Sequence, residues 1–545
     1  MLEQPLELDT LWYLIHCRIT MSIDPSERTP LQHPSNEART INDETDQIEK
    51  ACLEYEGMNS PLIGRHSSSN FSLLYDVEKS LYEREDLETT PNWNQEFRKL
   101  ISLFYPVMST YILEYLPGVT VVILVGHVDS PYTKYYVDAA TLSSMFTNIS
   151  SLSIGFGLTS GLDTLCSQAY GANRVQRMGI YFQSALLVVG SCLLPIFIMN
   201  WYAGYFLKLM GQNDQVAEFS GNFSRITVIG IPFLFLYEMF RKVLQSQHLV
   251  RPLVIIAIIG NIVNITMGYI LTYHTSLGFY GAAVSRTLGY ITMPICMTPL
   301  FLWNEKYRQW WSGWDIRQAI NRVPLFLRLG VPGFLMMAME WWAYEVLALM
   351  SGLLPNEVVA VSVQTVLMNV ASFTFMLYLG VGVSANVRVG NALGAGMPQL
   401  AKLVARISLY SVLVLGCLMG VLCVLFRSYI PLILINDQES VSEASNALLV
   451  FVWYAVMDGL NCVIQGIYRG AGRQNIAALV NAISYYLIGL PIAALLAFKG
   501  NLGVSGLWVG FGVGMSIAFV SCSWMLARTD WRRLSAEAGD RIAAH

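Results

Sequence analysis

Long apolar runs follow one another along this chain from Leu100 onward, and short polar segments separate them. A helix of about 20 apolar residues, rising 1.5 Å per residue, crosses the hydrocarbon core of a bilayer. The pattern therefore predicts an all-α integral membrane protein with twelve transmembrane helices. Their predicted bounds are 100–125, 138–161, 179–200, 222–240, 253–273, 279–303, 324–350, 357–385, 401–426, 445–467, 475–498 and 503–527.

The segment before the first span has a different pattern. Residues 22–97 are rich in Ser, Glu, Asp, Asn and Pro and show no sustained periodicity. Such a segment has too little apolar surface to offset the entropy lost on ordering, so it predicts a disordered tail. The expected organisation is a tail over 1–97, a first lobe over 98–303, a linker over 304–323, a second lobe over 324–528 and a carboxyl-terminal tail over 529–545.

Composition agrees with a lipid environment. Of the 545 residues 54% are hydrophobic and 13% are charged, against about 25% charged in ordinary soluble domains. No basic stripe interleaved with aromatic residues occurs outside short loops, so we expect no nucleic-acid partner. The cysteines are single and lack CxxC spacing, which disfavours a zinc site. No phosphate-binding loop or hydrolase motif is present, so we expect neither ATP-driven pumping nor an enzyme, and no cofactor or metal.

The charges in the loops give an independent test of the twelve spans. With a cytoplasmic amino terminus, fifteen Lys and Arg residues fall at inner loops and helix ends, among them Arg241 and Lys242 after the fourth span. Four fall at outer ones, namely Lys134, Lys208, Arg427 and Lys499. Cytoplasmic loops of membrane proteins carry this excess of positive charge. The count predicts that both termini are cytoplasmic.

Two short motifs recur at nearly one offset. Gly171 to Arg174 after the second span matches Gly394 to Met397 after the eighth, 223 residues later, and Gly278 to Val284 matches Gly503 to Val509, 225 residues later. Six spans separate the copies, so both copies have the same orientation in the membrane. This predicts parallel repeats related by a pseudo-two-fold axis along the membrane normal, an arrangement found in alternating-access transporters.

Carboxylates inside predicted spans are the strongest functional candidates, because ionisable groups in hydrocarbon are costly and rare. Glu340 lies twelve residues past Arg328, about 18 Å deep by helical rise, and Asp458 lies eleven residues before Arg469, about 16 Å deep. Both acids are therefore expected near the midplane of the same lobe. Glu345 lies about 140° round the helix from Glu340; we expect Glu340 to face the cavity.

A buried carboxyl group can bind either a proton or an organic cation, since removal from water favours its neutral form and a cation can replace the proton. This mutual exclusion is the minimal coupling that an exchanger needs. Trp341 and Tyr344 could add cation–π contacts to the bound cation. An interfacial position for Glu345 and the tryptophans is the alternative.

Several runs in the chain resemble those of eukaryotic multidrug and toxic compound extrusion (MATE) proteins. They are the segments 126–127, 155–158, 162–172, 340–345, 387–396 and 469–472, with Asn481 and Tyr485–Tyr486, in order over residues 98–530. The resemblance implies a two-lobe fold and export of organic cations in exchange for protons, with Na⁺ not excluded as the coupling ion. It also implies substrate and proton binding at Glu340, Glu345 and Asp458.

One position departs from that family pattern, because Asn369 stands where animal members have a further Glu. The carboxylate count, and with it the substrate range and stoichiometry, does not carry across. Gln364 is a candidate polar contact. In the first lobe, Glu114 precedes Pro117 in the first span and is a candidate coupling residue. Asp163 is a candidate inner gate or a polar contact between packed helices.

A flippase or metabolite carrier on the same two-lobe fold is the alternative function. A flippase should line its cavity with cations that hold phosphate, whereas this chain offers acids. A channel is disfavoured, because no filter-like carbonyl segment is visible. We expect a monomer in the plasma or vacuolar membrane, with small organic cations and the lipid bilayer as its partners. We also expect Arg286, in the sixth span, to pair with an acid of its own lobe.

Overall fold

The computed structural model describes residues 91–435 and 437–543, except for the side chain of Trp303. Most of the predicted tail, residues 1–90, lies outside the described residues. Every regular element in the described part is a helix, and ten helical segments there are long and apolar enough to cross a membrane.

The helices are α1 Trp93–Gly126, α2 Thr133–Thr147, α3 Ser153–Gly171, α4 Arg177–Trp201, α5 Ala203–Leu209, α6 Asp214–Thr227, α7 Ile231–Ser246, α8 Arg251–Tyr273, α9 Phe279–Trp303, α10 Glu305–Arg308, α11 Ile316–Ser351, α12 Glu357–Gly394, α13 Pro398–Leu425, α14 Ile430–Leu434, α15 Gln438–Ala471, α16 Gln474–Asn481, α17 Leu490–Ala494, α18 Gly503–Ala527 and α19 Trp531–Ala543.

Each of the twelve predicted spans falls within continuous helix, apart from Phe426 at the end of the ninth, which confirms the all-α fold. The second span comprises α2 and α3, joined by the π-helical turn Asn148–Leu152. The eleventh comprises α16 and α17 with the π-helical segment Ala482–Gly489 between them. A π turn widens the helix locally and occurs often at functional sites. The boundaries differ in detail: α1 begins within the predicted tail, α11 within the predicted linker, and α19 occupies the predicted carboxyl-terminal tail.

The two sequence repeats have matching backbone geometry. Asn173 and Gly396, at equivalent places after α3 and α12, both have left-handed φ angles, of 56° and 77°. Gly278 and Gly503, before α9 and α18, also match, at 48° and 55°. The repeat is therefore structural as well as sequential, and it gives the two lobes equivalent turns.

The two lobes meet in backbone contact at the end of the bundle where α1 begins, here called the amino-terminal end. A Cβ atom at Gly171 would lie 2.0 Å from the carbonyl oxygen of Asn391, and one at Gly394 would lie 2.0 Å from the carbonyl oxygen of Gln168. The repeat relates the two contacts, because Gly394 is the counterpart of Gly171, and Asn391 is the counterpart of Gln168, at the same offset of 223 residues. Only glycine permits this approach, so the amino-terminal end is closed by a symmetric glycine crossing.

The carboxyl-terminal helix α19 spans this closed end. Arg541 Nη1 donates to Gln168 Oε1 of α3 at 2.8 Å, and its Nη2 donates to the carbonyl of Ala471 on α15 at 3.3 Å. Ser535 Oγ donates to the carbonyl of Leu393 on α12 at 3.2 Å. One helix is thus hydrogen-bonded to both lobes across the place where they touch.

The structure corrects the loop-charge count at three residues. Arg241 and Lys242, predicted to lie beyond the fourth span, are buried inside α7. Arg225, which falls inside the predicted fourth span and so was not counted, lies at the opposite end of the bundle, where its Nε donates to the carbonyl of Trp201 at 2.9 Å. Hydropathy misplaced all three, because the fourth span is a longer helical run than its apolar core. The remaining excess of basic residues still lies at the amino-terminal end.

Candidate functional site

The predicted acid pair lies on two facing helices of the second lobe. Glu340 of α11 is 5% exposed, and its Oε2 accepts a hydrogen bond from Gln465 Nε2 of α15 at 3.1 Å. Asp458, two helical turns before Gln465, is 1% exposed, and its Oδ1 accepts from Tyr344 Oη of α11 at 3.4 Å. Two side chains on one helix thus contact two on the other, so α11 and α15 bring both acids into one polar seam.

Neither acid of this seam forms an ion pair with a base in the described residues, although Arg469 of α15 lies within electrostatic range of Glu340. No Lys, Arg or His in the described residues forms an ion pair with Glu340 or Asp458. A buried carboxylate without a cation is strongly disfavoured relative to its protonated form or to a complex with a cation. The seam can therefore bind a positive charge, either a proton or a cationic ligand.

Further polar atoms around the seam are buried without a hydrogen-bond partner in the described structure. They include Asp458 Oδ2 and Tyr485 Oη. Tyr485 belongs to the π-helical segment of the eleventh span. Buried polar groups in folded proteins are normally paired with protein or water. Unpaired donors and acceptors in this region are what a site for water or a ligand would show.

Aromatic rings surround the acids. Tyr344 Oη also contacts Tyr454 Oη of α15. The ring of Tyr344 packs edge-on against Phe511 of α18, with 5.3 Å between centroids. Trp508, also of α18, packs against Tyr454 at 4.7 Å and donates its Nε1–H to Gln364 Oε1 at 2.8 Å. These four rings, Tyr344, Tyr454, Trp508 and Phe511, are here called the aromatic wall. Gln364 is buried and supports this wall through Trp508, while Tyr344 contacts Asp458 directly.

Three predicted site residues lie apart from these contacts. Asn369 is exposed on α12, and its Nδ2 donates to the carbonyl of Thr365 in its own helix at 2.8 Å. Glu345 is partly exposed, on a different side of α11 from Glu340. Trp341 is partly buried and packs against the hydrophobic core of the first lobe. The described contacts do not bring these three side chains to Asp458.

The first-lobe candidates belong to a separate buried ion cluster centred on α7. Lys242 Nζ lies 2.9 Å from Asp163 Oδ2 and 3.5 Å from Glu238 Oε1. Arg241 pairs with both Glu238 and Glu114. The cluster contains three acids and two bases. Asp163 is thus in a polar contact between packed helices, and Glu114 is the partly exposed member, with one buried oxygen that lacks a partner.

Arg286 is not part of this cluster, and the prediction that it pairs with an acid of its own lobe is wrong. Its Nε donates to Tyr290 Oη at 2.9 Å and its Nη1 to Ser144 Oγ at 2.8 Å. No acid pairs with it among the described residues. Neutral oxygen acceptors take the place of a carboxylate there.

Sequence reasoning missed Gln465, Tyr454, Arg241, Lys242 and Glu238. Gln465 carries a weak signal, since it lies seven residues after Asp458 and so on the same helical face. The Glu238 to Lys242 run has the spacing of ion pairs along a helix. The apolar run stops at these charges, so hydropathy places them at the end of a span and in the loop that follows.

A many-helix membrane fold with paired backbone crossings and a buried acid seam between helices defines a multi-pass membrane transporter. Comparison with known proteins identifies which kind. The MatE family model matches residues 106–270 and 332–495, one match in each lobe, so the chain belongs to the MATE family.

Relatives and a solved structure agree with this assignment. The chain is 32% identical to mouse multidrug and toxin extrusion protein 1 over 457 residues, which cover 82% of this chain and 78% of the relative. It is 30% identical to Arabidopsis thaliana protein DETOXIFICATION 16, over 82% and 91% of the two chains. The crystal structure of the eukaryotic MATE transporter AtDTX14 superposes with a TM-score of 0.78 at 26% identity, over 83% of this chain and 99% of that one. The protein is accordingly a multidrug and toxin extrusion transporter of the two-lobe MATE fold.

Proposed function

We propose that this transporter exports organic cations in exchange for protons, and that Glu340 and Asp458 bind both. The observation that supports this proposal is the burial of two carboxyl groups in one seam, where neither forms an ion pair with a base among the described residues. A proton or a cation can satisfy that seam, but the site favours one positive charge at a time. Competition between them couples the two fluxes in opposite directions.

The aromatic wall suits an organic cation better than a metal ion. Tyr344, Tyr454 and Phe511 pack against one another beside the acids and give this side of the seam an aromatic, apolar character. An organic cation gains from both the ring quadrupole and the removal of its apolar groups from water. We therefore assign Tyr344 to substrate contact and the buried acids to charge recognition.

Alternating access supplies the transport cycle. In this proposal the amino-terminal end faces the cytoplasm, both termini are cytoplasmic, and the closed glycine crossing is the inner gate. Opening this end requires Gly171 and Gly394 to separate from the opposite lobe. The seam lies near mid-depth by helical rise from Arg328 and Arg469. In this cycle the movement of the lobes opens the buried seam to one side of the membrane at a time.

The residues of the seam favour an exporter of cations over a flippase of anionic lipid-linked substrates. A flippase cavity needs bases to hold phosphate, and the described contacts of this seam are carboxyl, amide, hydroxyl and aromatic. We further propose that the functional unit is a monomer in the plasma or vacuolar membrane, since one chain contains both lobes.

Proteoliposomes test this function. The purified full-length chain is reconstituted, and uptake of radiolabelled tetraethylammonium is measured under an imposed pH gradient, an imposed Na⁺ gradient or neither. We expect uptake only with the pH gradient, and acidification of the compartment to which the substrate is added, because protons leave the liposome as the cation enters. Equal uptake with a Na⁺ gradient would contradict the proton as the specific coupling ion. Uptake of an anionic lipid analogue without cation transport would favour the flippase.

A further inference from the structure

A basic cleft lies at the amino-terminal end, away from the acid seam. Its volume is about 520 Å³, within the range of about 300–1,000 Å³ that small-molecule sites occupy. Four cationic side chains line it, from four separate segments: Lys99 of α1, Arg251 at the start of α8, Lys306 of α10 and Arg388 of α12. Convergence of bases from four segments on one cleft is costly unless something compensates their mutual repulsion.

The compensation inside the described structure is incomplete. Glu96 of α1 forms ion pairs with Lys99, at 2.7 Å, and with Arg388. One carboxylate thus faces four bases, and Arg251 and Lys306 have no ion pair in the described residues. Glu305, beside Lys306, is exposed and does not line the cleft. The cleft therefore carries a net positive charge.

His248 does not add to this charge at neutral pH. His248 lines the cleft and keeps exposed surface, and the partial loss of water around its ring, together with nearby Arg388, lowers its pKa to about 4. Its Nε2 lies 2.8 Å from the side-chain amide of Asn391. The neutral imidazole therefore helps fix the cleft wall, while the four bases supply the charge.

Two further features suit an anionic group on an apolar stem. Helix α8 begins in the cleft wall at Arg251 with no side-chain cap, so its positive dipole end adds to the attraction of an anion. The rest of the wall is largely apolar, with Leu103, Leu249 and Val250. Lys99, Arg251 and Lys306 lie at ends of the first, fifth and sixth spans, where helices leave the apolar layer.

From this arrangement we infer that the cleft binds the phosphate-bearing headgroup of an anionic membrane lipid. The bases and the α8 terminus hold the phosphate, and the apolar wall accepts the glycerol and the first acyl carbons. Basic pockets between spanning helices on the cytoplasmic side are suited to such headgroups. The site is independent of the acid seam, and the inference shares with the proposed function only the cytoplasmic orientation of the amino-terminal end.

Lipid binding by the purified full-length chain in detergent tests it. The probe is phosphatidylinositol 4-phosphate with short acyl chains, compared with phosphatidylcholine of the same chains and with soluble inositol 1,4-bisphosphate. The test variant combines Lys99→Ala, Arg251→Ala and Lys306→Ala, and leaves Arg388 with its acid partner. The control combines Lys402→Ala and Arg406→Ala, two exposed bases of α13 outside the cleft.

We expect the wild type to prefer the anionic lipid, the triple variant to bind it about 100-fold more weakly at roughly fivefold for each base, and the control to match the wild type. Equal loss in the control would show non-specific surface attraction and overturn the site. Binding of the soluble bisphosphate as tight as the lipid would support the phosphate chemistry and overturn the lipid assignment. Arg251→Lys, which keeps the charge, should retain most of the affinity and controls for misfolding.

Discussion

Gln465 Nε2 donates to Glu340 Oε2 across the interface between α15 and α11, at 3.1 Å. The bond is formed by a neutral amide, so it orients the carboxyl group of Glu340 without neutralising it. This contact makes Glu340 available for exchange of a proton and a cation, because a basic partner in the same place would hold the carboxylate ionised.

Replacing Gln465 with Met keeps the volume and removes the donor. Hydrogen bonds to charged groups contribute about 1.5–3 kcal/mol, so Glu340 should hold its proton more tightly and the pH dependence of transport should move upward by about one to two pH units. The measurement is the initial rate of cation uptake as a function of pH. An unchanged profile at normal surface abundance would show that the contact does not tune Glu340.

Breaking the buried pair of Lys242 and Asp163 should destabilise the first lobe. Lys242→Ala leaves Asp163 buried with no close base, at a cost of about 3–5 kcal/mol, and Lys242→Met with Asp163→Asn should recover most of the loss. Thermal unfolding of the purified variants measures both. Lys208→Ala is the matched control, because Lys208 pairs with Asp214 at 3.1 Å on the surface and such pairs contribute about 0–1 kcal/mol. A thermal shift no larger than that of the control would contradict the cluster's structural role.

The glycine crossing should govern closure of the amino-terminal end. Gly171→Ala or Gly394→Ala places a methyl group 2.0 Å from a backbone oxygen, so the lobes must separate there. Spin labels at Arg174 and Lys402, both exposed, should report longer distances in a background without reactive cysteines. Gly190→Ala is the control, since a Cβ at Gly190 meets nothing within 4 Å. Equal distance distributions in all variants would mean that the crossing does not hold this end closed.

Arg541 should reinforce the same closure from α19. Burial lowers its pKa from 12.5 to about 10, so the guanidinium is still charged throughout the physiological range, and its bridge between Gln168 and Ala471 does not titrate there. Arg541→Met should broaden the distance distribution between the same two labels. Arg533→Met on the same helix should not, because Arg533 is 76% exposed and its bond is to Glu537 within α19. A similar effect of both substitutions would mean that α19 as a whole, rather than the Arg541 bridge, holds the amino-terminal end closed.

The sequence could predict the spans and the two acids for a physical reason. Lipid requires long apolar helices and penalises ions, so Glu340 and Asp458 stand out by depth alone. The repeat was equally visible, because the left-handed turns at Asn173 and Gly396 need residues that tolerate positive φ.

What the sequence could not predict depends on helix rotation and on partners distant in the chain. Asn369 is exposed although its helix passes the aromatic wall, because a residue's depth does not fix the side of the helix on which it lies. Arg241 and Lys242 follow an apolar run and so resemble loop charges. Only the fold shows that Asp163 and Glu114, on other helices, pair with them.

The central claim is that Glu340 and Asp458 exchange a proton for a cation. The most direct measurement is cation transport by Glu340→Gln and Asp458→Asn proteoliposomes, with and without a pH gradient, at matched protein content. Glu340→Gln should abolish proton-driven exchange, because it keeps shape and hydrogen bonding but cannot titrate. Asp458→Asn should weaken cation affinity and move the pH optimum downward, because Glu340 then releases its proton more readily beside a neutral neighbour. Wild-type pH dependence in both variants would contradict the account and move the coupling site to Glu114 in the first lobe.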